Sequence, residues 1–481
     1  MAGIGVRLNR IFGKNTLTTS IIGFGYSTLI SIAPMFLVIA AVFLMQVLLG
    51  FSKIGYAERE LFSCTVLYIF IFALLVASPF NAVLSKYMSD VIYKEQFEDI
   101  LPCFYVGLLL TIALGVLIGV PFCCWEYFMG GIPLSYVFVG YCGFISLILV
   151  FYAMLYLSIC KDYNKISWFF FLGMLFTLLL SLVLVYVLQW NVTFSMLISL
   201  CAGFLLTAGL EIALVTCYFK ENSGRYKEVL SYFGQYWKLV FTNFLYTLGL
   251  YVHNFVFWTT DMRMTVANSF VCMTSYDMAT CLAMLTNLTS SVIFTARVEM
   301  HFHERYKAYS EAVIGGRWMD IENAKNRMFR QLSEEMSNLV RIQFIISVVL
   351  FFAFIILLPQ FGFGGMVMRI FPCLAAGYFI LFTMYAAIIF LYYFNDLSGA
   401  LMTAVSFFSM TLVGSIVASR LPEIWYGMGL VTGAFTGWTV SYFRLRWLEK
   451  HLDVHIFCSG RLLKSGQGKQ PDSKVFDRYQ M

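Results

Sequence analysis

Charge is what this sequence has least of. Only 12% of its 481 residues are Asp, Glu, Lys or Arg, whereas 60% are apolar, 18% are aromatic and the mean hydropathy is +0.80. Such a chain cannot cover itself with a water-facing surface, which excludes a soluble globular domain. Recognisable chemistry is missing as well. There is no phosphate-binding P-loop, no GxSxG nucleophile turn, no HExxH, no CxxC, no Cys/His array and no paired-histidine haem pattern. Nucleotide hydrolysis, acyl transfer, metal sites and bound cofactors therefore have no motif to rest on, and no metal ligands, catalytic residues or cofactors are expected.

Twelve cysteines do not change this. Cys64, Cys142, Cys160, Cys201, Cys217 and Cys281 stand singly in apolar stretches and read as small packing residues. The vicinal pair Cys123 and Cys124 has poor geometry for a structural disulfide. A cleavable signal peptide is not expected, because the first apolar stretch is too long and no small-residue cleavage site follows it. Ala2 stands where N-myristoylation requires glycine.

What the chain does have is apolar length. Twelve stretches of roughly 19 to 33 residues, each enough to cross the hydrocarbon, lie at 18–50, 61–82, 104–124, 133–157, 166–188, 192–219, 238–257, 275–296, 340–358, 371–394, 400–418 and 425–443. Of the 32 Lys and Arg, 27 fall on the N-terminus and every second connection, and five on the connections between. That sorting predicts a multi-pass membrane protein with both termini in the cytoplasm. The net charge of +6 follows from it, so it describes an inner face beside anionic lipid and gives no reason to expect nucleic acid.

The expected fold class is an all-α polytopic membrane protein. Residues 1–17 form a cytoplasmic N-terminus, 18–219 a first set of six spans, 220–237 a basic cytoplasmic linker and 238–443 a second set of six. Residues 444–481 form a cytoplasmic tail whose stretch Lys464–Lys474 has the composition of a disordered segment. Six is even, so both sets enter the membrane from the same side, and any repeat is parallel. Each second span runs into a charged cytoplasmic segment, Lys86–Asp99 and Arg297–Arg341. In the latter, two helical parts separated by Gly315 and Gly316 are expected, with Ile321, Ala324, Met328, Leu332 and Met336 on one face. That face either docks a partner, through Ile321, Met328, Leu332 and Met336, or packs on the bundle beneath it.

Ionisable groups inside spans are functional candidates because of their cost in hydrocarbon. Glu211 in span six is a candidate proton-coupling carboxylate, or a neutral acid giving one interhelical hydrogen bond. His253, near the outer end of span seven, is a candidate proton relay or an interfacial histidine. Span seven carries a polar stripe of Asn243, Tyr246, Thr247, Tyr251 and Asn254, and span eight adds Thr286, Asn287 and Ser290. Amides and hydroxyls this dense rarely face lipid; they either join helices or line a wet path between the two sets. Pro34 and Pro79 free backbone carbonyls at depth in spans one and two.

The opening Met1-Ala2-Gly3-Ile4-Gly5 with Arg7 and Arg10 resembles the PelG family, as does Arg297-Val298-Glu299 through Phe302, Glu304, Arg305, Tyr306, Tyr309, Ala312, Gly315-Gly316, Ile321 and Ala324. The resemblance covers about residues 1 to 455. It implies the exporter-superfamily fold, two six-helix bundles around a central cavity with alternating access, in a transport subunit that is not an enzyme. It further implies an N-acetylhexosamine-rich glycan as cargo. The implied partners are a cytoplasmic glycosyltransferase of the PelF type and membrane subunits of the PelD and PelE type. A neutral N-acetylated sugar chain calls for amides, hydroxyls and flat aromatic faces, which spans seven and eight supply. The alternatives are a flippase for lipid-linked oligosaccharide, a non-conducting scaffold that recruits the glycosyltransferase, and, less favoured, a drug exporter.

Overall fold

An apolar run in hydrocarbon has no water to pair its backbone with, so helix is the state it takes. The computed structural model describes residues 17–160, 163–298, 302–361 and 364–458. In it each expected span falls on a long helix, the fifth finishing in a π-helical turn at Val183–Val187: α1 Leu17–Leu48, α2 Tyr56–Tyr93, α3 Ile100–Phe128, α4 Leu134–Cys160, α5 Tyr163–Leu182 and α6 Val192–Tyr218, then α8 Trp237–Phe257, α9 Thr274–Arg297, α11 Trp318–Leu357, α12 Met366–Tyr393, α13 Leu397–Ala418 and α14 Met428–Cys458. Two shorter helices, α7 Tyr226–Gln235 and α10 His303–Gly315, lie in the linker and in the second charged segment. Nine of the described helices are long and apolar enough to cross a membrane by those criteria alone, and the protein is a multi-pass membrane protein.

One element departs from an all-helical reading. The connection from α8 to α9 folds into an antiparallel hairpin, β1 Met264–Val266 paired with β2 Phe270–Cys272. Its turn residues Ala267 and Asn268 have φ of 49° and 55°, which closes a two-stranded ribbon within nine residues. Lengths differ too. α2 continues about eleven residues past its expected end, and span nine joins the amphipathic segment before it into the single 40-residue helix α11, roughly 60 Å long.

Packing divides the helices into two equivalent sets. In the first half α1 packs on α5, α2 on α3 and α4, α3 on α4, and α6 on α4 and α5. In the second, α8 packs on α13, α9 on α11 and α12, α11 on α12, and α14 on α12 and α13. Replacing spans one to six by spans seven to twelve converts one set of contacts into the other. The halves meet through α2 against α8 and α1 against α9, again an equivalent pair. Each half has its own apolar core, but the cores exchange pieces at the interface: Ile71 and Leu75 of α2 belong to the second, and Val266, Phe270 and Cys272 of the hairpin to the first.

The repeat extends to close contacts that only small residues permit. Between α5 and α6, a Cβ on Gly173 would lie 2.0 Å from Thr207 Oγ1 and one on Gly203 1.8 Å from Thr177 Oγ1. Between the equivalent α13 and α14, a Cβ on Gly429 would lie 2.0 Å from Ser415 Oγ and one on Gly433 1.9 Å from Thr411 Oγ1. With no hydrophobic force between helices in lipid, such backbone approach is what holds them.

The charged segment folds back on the second half. Met328 and Leu332 are buried, Ile321, Ala324 and Met336 pack on the same core, and Phe302 and Phe329 contact Phe394 at the turn after α12. Asp453 of α14 accepts from Lys325 at 2.5 Å and from Tyr309 at 3.4 Å. Burial and then the neighbouring Asp453 hold the Tyr309 hydroxyl above its ordinary range, so it stays a donor. The apolar face carrying Ile321, Met328, Leu332 and Met336 is thus covered by the chain's own second half, for the physical reason that it completes that half's core.

Candidate functional site

The interface between the halves is built first by aromatic contacts. Tyr68 of α2 stacks on Trp258 at 5.0 Å and Phe72 on Phe255 at 6.0 Å. Further along α2, Pro79 cannot donate to the Leu75 carbonyl, and the Ser78 hydroxyl takes that acceptor at 3.1 Å. Asn243 Nδ2 of α8 then crosses to the Ser78 carbonyl at 3.2 Å. Asn243 and Thr247 are half-buried on α8.

Deeper in the second half, the polar stripe becomes two networks. Asn254 Nδ2 donates to Asp277 Oδ1 at 2.7 Å and contacts Thr280 Oγ1 at 3.5 Å. Trp258 Nε1 donates to both Asp277 oxygens at 3.0 Å, and the Met273 amide donates to Oδ2 at 3.1 Å. Asp277 is buried and held entirely by neutral donors. In the second network Asn287 Nδ2 donates to the Tyr378 carbonyl at 2.8 Å, while Gln343 Nε2 donates to Asn287 Oδ1 and to Ser347 Oγ. These bonds tie α8 to α9, and α9 to α11 and α12. The Asn254 Oδ1, Gln343 Oε1, Tyr378 hydroxyl and His253 Nε2 atoms are buried and have no hydrogen-bond partner among the described residues. Such groups are where water or a polar ligand bonds.

The other expected residues are placed as follows. Tyr246 stacks on Tyr385 at 5.3 Å and lies 6.0 Å from Phe407, inside the second half. Tyr251 is buried, and Thr286 is buried with its hydroxyl on the Ala283 carbonyl. His253 is buried, with Nδ1 2.9 Å from the Tyr276 hydroxyl. Glu211 is fully buried in the first half, and neither carboxyl oxygen has a partner among the described residues. The Ser290 side chain lies outside the described residues, as do the opening motif and the tail beyond 458.

Three features were not anticipated. Asp277 stands at the third position of the expected span 275–296, and its being the single acid there was the available signal. Glu126 lies two residues beyond the expected end of span three, yet it is buried. The hairpin docks on the first half: Tyr68 Oη donates to the Val271 carbonyl and accepts from its amide, Ser269 Oγ donates to Glu126 Oε2 at 2.6 Å, and Cys64 Sγ lies 2.9 Å from Cys272 Sγ.

Two six-helix halves in parallel repeat, joined through equivalent helices, are the architecture of a membrane transporter. Solved structures agree. The chain is similar to an outward-facing multidrug resistance MATE family transporter of the MOP superfamily, with TM-score 0.64, 14% identity, and coverage of 94% of this chain and 99% of that one. A MATE structure in complex with MaL6 gives 0.60 at 14% identity, covering 93% and 99%, and an inward-facing MATE transporter gives 0.57 at 14%, covering 88% and 96%. No curated protein matches the chain. A family profile matches residues 1–457, and the chain belongs to that family, described as "PelG: Putative exopolysaccharide Exporter (EPS-E)".

Proposed function

We propose that this protein moves an exopolysaccharide across the bacterial cytoplasmic membrane, the glycan passing between the two halves. The family match over residues 1–457 on a transporter fold carries this reading. The Lys and Arg distribution favours the hairpin face as the outer one and the α10–α11 face as the cytoplasmic one. Similarity to MATE structures titled both outward-facing and inward-facing supports alternation about the α2–α8 and α1–α9 contacts.

The cargo in this reading is a Pel-like, N-acetylhexosamine-rich polymer. Asn243 and Thr247 meet it at the interface, while Tyr246, Tyr251, Asn254, Thr286 and Asn287 hold or extend the polar wall behind them. Glu211 and His253 are the groups that would take up a coupling proton. The working complex adds a glycosyltransferase of the PelF type and membrane subunits of the PelD and PelE type on the cytoplasmic side.

The test is deletion of the protein in its host, with secreted, cytoplasmic and lipid-linked N-acetylhexosamine glycan measured with and without the restored chain. Loss of the secreted pool without a rise in the lipid-linked pool is expected. Build-up of short lipid-linked oligosaccharide would make the protein a flippase instead. Asn243→Ala with Thr247→Ala is expected to lower secreted polymer severalfold at equal protein level, and unchanged secretion would remove these residues from the path.

A further inference from the structure

A cavity of about 100 Å³, open on one side, lies within the first half, between α2, α3 and α4 and beneath β2. It shares Tyr68 and Phe72 with the interface between the halves but none of the polar residues of the proposed path. Its walls are almost wholly apolar, with Tyr68, Phe122 and Phe270 in mutual ring contact at 5.1 to 5.8 Å. Its one acidic residue is Glu126, which is only 2% exposed. Its Oε2 is taken by Ser269 of the hairpin, and its Oε1 has no partner among the described residues. No Lys, Arg or His is among the residues lining the cavity.

A buried carboxylate oxygen in an apolar wall costs free energy until a cation or donor meets it. Position narrows the choice of cation. Glu126 is two residues from the end of α3, at the level where a spanning helix meets the headgroups. Ile118, eight residues earlier on the same helix, lines the cavity roughly 12 Å deeper in the hydrocarbon and is 41% exposed, beside Leu117 at 70%. The cavity therefore has a carboxyl group in its wall at headgroup depth and apolar surface below it, with a rim on the outside of the bundle.

We propose that this cavity binds a phospholipid with a primary ammonium headgroup from the leaflet on the hairpin side: the ammonium donates to Glu126 Oε1 over the aromatic rings, and an acyl chain runs past Ile118 between α3 and α4. A primary ammonium fits better than a quaternary one, because only the former has N–H groups for a charge-assisted hydrogen bond. The aromatic faces would attract either. Since Oε2 holds Ser269, the lipid and the hairpin share one carboxylate, and the occupied site favours a docked hairpin.

The intact chain reconstituted in nanodiscs of equal parts phosphatidylethanolamine, phosphatidylcholine and phosphatidylglycerol tests this, with lipids retained on the released protein counted by native mass spectrometry. Ethanolamine lipid is expected to exceed choline lipid roughly tenfold, and Glu126→Gln to bring the ratio near one. Gly140→Leu has room for its Cβ, whose nearest neighbour would be Thr65 at 3.6 Å, and it places an isobutyl group in the cavity. This variant is expected to lower retention of both zwitterionic lipids. Equal retention in the unaltered protein, a preference for the anionic lipid, or a preference that survives Glu126→Gln would overturn the assignment. Displacement of the lipid by millimolar glucosamine or free ethanolamine would overturn it too, by assigning the carboxylate to a water-borne amine. None of these outcomes depends on which cargo the transporter carries.

Discussion

Asp277 shows how one residue fixes several others. Its carboxylate is the acceptor for the Trp258 indole, the Asn254 amide and the Met273 backbone, and all three donors are buried. Asp277→Ala leaves them unpaired at once, at a cost of roughly 3 kcal/mol, because a buried donor left without its hydrogen bond bears the full cost of desolvation. A thermal midpoint several degrees lower in detergent is expected, with Asp277→Asn in between, because its carbonyl still accepts from Asn254 and Trp258 while its NH2 group faces the Met273 amide donor. An unchanged midpoint for the alanine variant would mean that water already serves these donors. By contrast, Arg330 and Glu334 form an ion pair with side chains 83% and 53% exposed, and either can be lost for well under 1 kcal/mol.

Among elements, the equivalent pairs α5–α6 and α13–α14 rest on backbone approach at glycine. Gly203→Ala on α6 and Gly429→Ala on the equivalent α14 each place a methyl within 2.0 Å of a neighbouring hydroxyl oxygen, so the helices must separate. A loss of roughly 1 to 3 kcal/mol is expected for each. Similar losses at the two sites, read from unfolding in detergent, would bear out their equivalence; tolerance at one alone would break it. The hairpin is the other element with a testable position. It is strung between two helices of the second half but sits in the core of the first, so a parting of the halves would strain it. Oxidation of the thiols of Cys64 and Cys272 by added diamide is expected to form a bond between them and to halt export. Export should return with reductant and be insensitive in Cys64→Ser. Continued export in cross-linked protein would show that the hairpin does not part from α2.

At the scale of the molecule, the contact pattern of spans one to six repeats in spans seven to twelve, and the spans of the two halves are joined chiefly by the pairs α2–α8 and α1–α9. This leaves two packed bodies, each with its own apolar core, and a shared seam. The charged segment between α9 and α11 belongs to one body alone. Its tie through Lys325 and Tyr309 to Asp453 makes α10, α11 and the end of α14 a single extension of the second half. A partner that grips this extension would therefore bias the second half as a whole.

The sequence alone determined the helices, their number and the sorting of charge between the two faces, because the cost of exposed backbone and of charge in hydrocarbon acts on each segment wherever its neighbours lie. It also showed that α11 has an apolar stripe, since a periodicity of 3.6 is local. What that stripe covers, and which polar side chains of α8 and α9 meet each other rather than a path, depended on contacts between segments far apart in the chain. Asn254 with Asp277, Asn287 with Gln343 and Ser269 with Glu126 are pairings between different segments. The periodicity and charge of any one segment hold no information about which other segment it will meet. The hairpin was hidden for the same reason: nine residues of modest strand character have no stability alone, and only docking on the first half, with Phe270 and Cys272 in its core, decides that they pair.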